Sequence, residues 1–155
     1  MSLSLTAEKK SLSTLFSRRE QYIIPAYQRP YSWHTDECQQ LYQDFLEAYN
    51  SRTDYFVGNI ILAVGEKEQN APRVVDGQQR LITLWLMFKA LSVIFDKMAV
   101  LQDVTRKYNW DGSEFEIKIK SDVIESKDYD ELDVIFNWQK NNYDQQLQEI
   151  IIKNQ

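Results

Sequence analysis

The sequence predicts a mixed α and β fold in which helix dominates, on three observations. Only four Gly and three Pro stand among the 155 residues, so tight turns are few. Leu81–Phe95 is apolar at twelve of its fifteen positions, as a helix buried on most sides would be. Tyr55–Val64 (YFVGNIILAV) is the clearest strand in the chain, rich in aromatic and aliphatic residues.

The other elements follow in chain order. Thr6–Phe16 reads as a short helix with Leu12, Leu15 and Phe16 on a small apolar face. Tyr22–Ile24 is a β-prone run stopped by Pro25, and Tyr27–Trp33 is a loop holding Pro30 and three aromatics. Thr35 is a suitable N-cap, with Asp36 and Glu37 in a first turn whose dipole favours acids. Cys38, Leu41, Tyr42, Phe45 and Tyr49 then recur at helical spacing. Gly58 marks a bulge or a close backbone approach within the expected strand. Gly65–Pro72 is a polar loop and Arg73–Asp76 a short strand before the buried helix. Beyond Asp96, Tyr108–Ser113 reads as a turn and Glu114–Lys120 (EFEIKIK) as a half-exposed strand. Helices are expected over Asp128–Trp138 and Tyr143–Ile152. The chain stops at Gln155 with no capping residue, Gly or Pro, as an N-terminal piece of a longer protein would.

Composition removes much familiar chemistry. One Cys (Cys38) and one His (His34) cannot form an internal disulfide or a Cys/His zinc site. Any nucleophile–His pair would have to use His34. No glycine is spaced as GxGxxG or GxxxxGK[ST]. Hydrophobic content of 43% fits one globular domain, with room for an appended segment. The longest apolar stretch is too short to span a bilayer, and no signal-peptide core is present, so a cytoplasmic protein without a membrane partner is expected. Net charge is −5, which gives no global basic footprint for nucleic acid. Six of the seven arginines lie in residues 1–80, so an anion site belongs in that half.

Arg73–Leu84 (RVVDGQQRLITL) is the most informative segment, reading as strand, tight turn and buried helix. Gly77 lets the backbone turn sharply or approach a ligand closely. The first N–H groups of the helix lack internal acceptors, which makes an anion site. Arg80 would add a charge-assisted contact there. Gln78 and Gln79 can hydrogen-bond a phosphate, a base edge or an attacking water, and Asp76 can hold a metal-bound water or orient Arg80. The same string also reads as an ordinary helix start, with Asp76 the N-cap, Gly77 a turn residue and Gln-Gln-Arg a solvated first turn.

Tyr22–Trp33 (YIIPAYQRPYSW) is the second constellation. Its aromatics can stack a ring, Arg29 can pair with phosphate, and two prolines stiffen the loop. Alternatively Tyr27, Tyr31 and Trp33 only plug the edge of the core, which leaves the polar Gln28-Arg29 between them unexplained. His34 reads as structural or exposed and Cys38 as inert packing. The acidic run Asp128–Asp133 reads as a solvated helix start rather than a metal site.

Together the two segments carry a resemblance. Ile24-Pro25-Ala26-Tyr27-Gln28-Arg29-Pro30-Tyr31-Ser32-Trp33, then Tyr55-Phe56-Val57-Gly58, then Val75-Asp76-Gly77-Gln78-Gln79-Arg80-Leu81-Ile82-Thr83-Leu84 resemble the N-terminal domain of GmrSD-type restriction endonucleases. The match is good over roughly residues 10–95 and weak beyond, and Ile82 stands where the family often has Thr. The resemblance implies an α+β fold of ParB/sulfiredoxin type, a small mixed sheet packed on helices, over residues 1–105. A mainly helical extension would begin in 106–155. It implies a bacterial protein of defence against phage or modified DNA that binds or hydrolyses a nucleoside triphosphate with Mg²⁺. DNA would be engaged through the full-length protein, by an HNH-like C-terminal domain beyond this chain, rather than by this domain.

Carried onto this sequence, the resemblance makes Asp76, Gln78, Gln79 and Arg80 the catalytic cluster. Tyr27, Gln28, Arg29, Gly77 and Arg80 become the nucleotide-binding set. Arg29 and Arg80 would hold phosphates, Gln78 or Gln79 would orient water, and Asp76 would bind Mg²⁺ through water or hold an arginine. Two other readings remain at this stage: a DNA-contacting nuclease domain, which the acidic balance disfavours, and a partner-binding module with a vestigial site. The sequence leaves a homodimer open.

Overall fold

In the computed structural model, residues 6–16, 21–65, 71–95, 107–108, 114–115 and 119–121 are described. The expected turn over 109–113, the acidic run 128–133 and the helices expected over 128–138 and 143–152 lie outside them.

The sheet is built around strand β1 (Tyr22–Ile24), whose Tyr22 and Ile24 are buried while Ile23 is half-buried. That alternation is the period of two that puts successive side chains on opposite faces. Strands β2 (Ile61–Ala63) and β3 (Arg73–Asp76) pair antiparallel, with a register shift between Ile61 and Leu62. Strand β3 pairs parallel with β1 at Ile23↔Arg73. On the other side of β1, β6 (Ile119–Ser121) pairs parallel with it in the register Tyr22↔Ile119. The four-stranded order is therefore β2-β3-β1-β6, a mixed sheet in an α+β domain. Its fourth strand comes from beyond residue 105, where a helical extension is expected from sequence. The described residues of the strand expected over Glu114–Lys120 pair in two different sheets. Strand β5 (Glu114–Phe115) pairs with β4 (Lys107–Tyr108) in a separate two-stranded sheet, and β6 joins the main one.

Helix α1 is shorter than the expected Thr6–Phe16 and covers Leu12–Leu15, because Ser11 caps it: its Oγ accepts from Thr14 N–H at 3.2 Å. Helix α2 (Thr35–Ser51) is capped by His34 rather than by Thr35. Glu37 accounts for the shift, since its Oε2 accepts the His34 N–H at 2.8 Å, the return half of a capping box. That bond holds the Glu37 carboxyl below its ordinary pKa. Of the expected apolar stripe, α2 buries Leu41 and partly Cys38 and Phe45, while Tyr42 and Tyr49 are exposed. Helix α3 (Gln78–Ile94) begins three residues before the apolar run that predicted it. No helix among the described residues is long and apolar enough to cross a membrane.

The core gathers Phe16, Tyr22, Ile24, Leu41, Val74, Leu81, Leu84, Trp85 and Ile119. Phe16 meets Phe88 edge-on at 5.4 Å between centroids, which ties the N-terminal turn to α3. The expected strand Tyr55–Val64 is realised only at Ile61–Ala63. Gly58, at φ +108°, breaks the β conformation in its middle.

Candidate functional site

The site is assembled where β3 turns into α3. Asp76 ends the strand, and Gly77, in the left-handed region at φ +87°, is the N-cap; Asp76 is not the cap. A Cβ at Gly77 would lie 2.8 Å from the Asn59 carbonyl oxygen and 3.2 Å from Ile60 Cα. Both the turn and the close backbone approach therefore require glycine there. The bond from Leu81 N–H to the Gly77 carbonyl opens the helix at 3.0 Å. Helix geometry leaves the N–H groups of Gln78, Gln79 and Arg80 without internal acceptors, at the positive end of the dipole.

Gln78 and Gln79 are not a solvated first turn; they are 5% and 6% exposed. Gln78 Nε2 donates to the Arg29 carbonyl at 2.5 Å. Gln79 Nε2 donates to the Pro30 carbonyl at 3.1 Å, and its Oε1 accepts from Ser32 N–H at 2.7 Å and Trp33 N–H at 3.3 Å. Gln28 works in the opposite direction: its Nε2 donates to the Val75 carbonyl at 2.7 Å and reaches that of Val74 at 3.5 Å. Three glutamine side chains thus fasten the 28–33 loop to β3 and α3. All three couple residues 46 to 49 positions apart in sequence.

Because the glutamines take up the loop backbone, the neighbouring side chains are left to solvent. Tyr27 is 70% exposed, and Arg29 and Asp76 are exposed. Neither Arg29 nor Asp76 has a side-chain partner among the described residues. The Arg80 guanidinium lies against the Gly58 backbone, with Nη1 3.3 Å from the Asn59 carbonyl. Gly58 is therefore the close-approach glycine, and what approaches it is Arg80. A guanidinium has five N–H donors, so one such bond leaves donors over. The structure brings Gln28, Arg29, Gln78 and Gln79 together by direct bonds, with Asp76 and Gly77 adjacent in the chain.

Two residues within the quoted segments, Tyr31 and Thr83, join the site without having been assigned a role there. Tyr31 Oη lies 2.8 Å from Thr83 Oγ1 and 3.3 Å from Cys38 Sγ, so the loop is also latched to the second turn of α3 and to α2. Burial and the bond to Cys38 push the Tyr31 phenol up to about 12. Thr83 in turn donates to the Gln79 carbonyl at 2.8 Å. The available signal was helical spacing, since Thr83 stands four residues after Gln79 and so lies on the same face. On the Arg80 side, Tyr55 donates to Asp44 Oδ2 at 2.7 Å. That bond keeps the Asp44 carboxyl below its ordinary pKa, while burial, then Asp44, raises Tyr55.

Two shallow depressions lie along the C-terminal half of α2, lined by residues such as Ala48, Arg52 and Thr53, and neither includes a residue of the motif.

Fold and site together define a class: an α+β domain in which a loop is stapled by buried amides beside the start of a helix. The chain belongs to the family of the GmrSD restriction endonuclease N-terminal domain, whose family model matches residues 12–155. No curated protein and no solved structure gave a significant match.

Proposed function

We propose that the domain binds a nucleoside triphosphate at the start of α3 and hydrolyses it. In this reading it serves as the regulatory part of a bacterial, modification-dependent restriction endonuclease acting in phage defence. DNA cleavage would reside in an HNH-like domain outside this chain. The observation that carries the reading is the glutamine-stapled loop. It presents Tyr27 and Arg29, both exposed, next to a helix N-terminus and to Asp76, whose carboxylate has no side-chain partner among the described residues. A loop already ordered before binding loses little entropy on capturing a ligand.

The roles divide by what each group has left to give. Phosphate oxygens would take the N–H groups of the first turn of α3 and the guanidinium of Arg29, with the remaining N–H donors of Arg80 beside them. Tyr27 offers a ring face to the base. Gln28, Gln78 and Gln79 act through the loop, since their amides are bonded to its backbone and to β3. Mg²⁺ keeps several waters and takes one or two carboxylates together with phosphates, a demand that exposed Asp76 fits; when bound it would neutralise phosphate charge.

The test is a thermal-shift series of nucleotides with Mg²⁺, paired with phosphate release. Ligand at a hundred times its Kd stabilises the native state by about 2.7 kcal/mol. The expected result is a rise in Tm for at least one triphosphate that Arg29→Ala abolishes while its ligand-free Tm stays unchanged. No rise for any triphosphate at millimolar concentration would refute the proposal.

A further inference from the structure

We infer that Tyr55 and Asp44 are positioning residues for Arg80: their hydrogen bond pins the 55–59 segment to α2 and so fixes the seat from which the Arg80 guanidinium meets a phosphate. The inference deepens the reading of the α3 start as a phosphate site and rests on it.

The Tyr55-Phe56-Val57-Gly58 string is part of the sequence pattern, yet no role in the proposed function uses it. In the fold it holds an arginine. A Cβ at Gly58 would lie 2.8 Å from both Cζ and Nη1 of Arg80 and 3.3 Å from Nε. The guanidinium therefore lies against the Gly58 main chain over several atoms, and a side chain there would displace it. The next carbonyl, that of Asn59, accepts from Nη1 at 3.3 Å. The same carbonyl is what a Cβ at Gly77 would strike at 2.8 Å, so this end of the segment packs on the start of α3.

The other end is fixed to α2. Tyr55 is half-buried, and its ring meets Phe45 edge-on at 5.1 Å between centroids. Its hydroxyl donates to Asp44 Oδ2 at 2.7 Å, while Asp44 Oδ1 accepts from Gln40 Nε2 at 2.7 Å. Both carboxylate oxygens are thus engaged, and the segment spans from α2 to the first turn of α3. Burial, then Asp44, raises the Tyr55 phenol, and the Arg80 charge opposes them, so Tyr55 and Arg80 share one electrostatic field.

This arrangement keeps the charge available. Asp44 gives its oxygens to Tyr55 and Gln40 rather than to Arg80, and Arg80 forms no ion pair among the described residues. A half-buried guanidinium without a carboxylate carries a desolvation cost that an incoming anion relieves. A seat anchored at both ends also restricts a side chain rich in rotamers, so less entropy is lost when phosphate binds.

Two measurements on the full 155-residue chain test this: NMR relaxation of the Arg80 Nε–H group, assigned by its loss in Arg80→Lys, and affinity for ATP, GTP, CTP and UTP with Mg²⁺. Tyr55→Phe keeps the ring on Phe45 and removes only the bond, and Asp44→Ala removes its acceptor. In both variants the order of the Arg80 group should fall toward that of exposed Arg29. Affinity for whichever triphosphate binds the wild type should weaken at least about fivefold, as when one charge-assisted bond is loosened. Asp44→Asn, which keeps an oxygen for the Tyr55 hydroxyl, should hold both readouts near wild type. Glu47→Ala, exposed on the same helix, should change neither. In an Arg80→Lys background Tyr55→Phe should weaken affinity no further, which a merely structural bond would not produce. Unchanged Arg80 relaxation in Tyr55→Phe and Asp44→Ala overturns the proposal, and so does a triphosphate affinity that both leave intact. A wild type that binds no triphosphate counts against the phosphate site itself, and the relaxation data then decide whether Asp44 and Tyr55 set the position of Arg80.

Discussion

Replacing Gln79 by Ala should destabilise the domain by about 3 kcal/mol, and the figure follows from its surroundings. The side chain makes two short bonds to the loop, at 2.7 Å to Ser32 N–H and 3.1 Å to the Pro30 carbonyl, and a third, longer one at 3.3 Å. Each of the short bonds is worth roughly 1 kcal/mol net. Pro30 and Ser32 are themselves exposed, so water can reach the groups left behind and the full penalty for buried orphans does not apply. Loss of a side chain that is only 6% exposed adds about 1 kcal/mol of packing. For a domain of this length each kcal/mol moves Tm by about 2–4 °C, so a fall of roughly 6–12 °C is expected. Equilibrium urea unfolding, read by tryptophan fluorescence, measures the change directly. Gln79→Met keeps the volume and removes only the bonds, and should cost about 2 kcal/mol. If Gln79→Ala lost less than about 0.5 kcal/mol, as an ordinary surface substitution does, the stapling account would be wrong.

Three further outcomes are expected. Gly77→Ala should lower stability by at least about 2 kcal/mol, since it adds a left-handed penalty to a Cβ held 2.8 Å from the Asn59 carbonyl; a thermal melt decides it. Tyr31, raised from 10.0 to about 12, contributes stability that is complete below the unfolded value and is lost as pH rises through the folded one. Alkaline melts of Tyr31→Phe should accordingly show a shallower decline than wild type between those two values, and tyrosinate absorbance should show one late-titrating phenol that the variant lacks. Gly58→Ala should displace Arg80, because its Cβ would sit 2.8 Å from the guanidinium. An unchanged nucleotide shift in that variant would remove Arg80 from the binding set.

What was legible in the sequence was what short stretches decide for themselves. Pro25 ends β1, Gly77 turns β3 into α3, and the apolar run Leu81–Phe95 is helical because its neighbours within one turn make it so. The length of the strand after Tyr55 was not legible. A β-prone run states only that it would pair, and pairing depends on a partner elsewhere and on Gly58 adopting a φ that ends it. The motif draws the eye to the Gln78-Gln79 pair, but the contacts of these amides are not legible in it. Whether an amide meets water, phosphate or a carbonyl is settled by a loop 49 residues upstream for Gln78. Helix α2 shows the same limit at smaller scale, because Glu37 chooses His34 over the better intrinsic cap Thr35.

The placement of β1 has a consequence for biosynthesis. Its two neighbours are β3, which follows about fifty residues later, and β6, whose Ile119 lies opposite Tyr22. A ribosome adds roughly 5–20 residues per second, so the central strand waits on the order of ten seconds for its second partner. Once β3 has been made, and until β6 follows it, the sheet is half-made with Tyr22–Ile24 as a temporary edge. A newly made chain is thus most exposed to mispairing with its neighbours on a polysome just before residues 119–121 emerge.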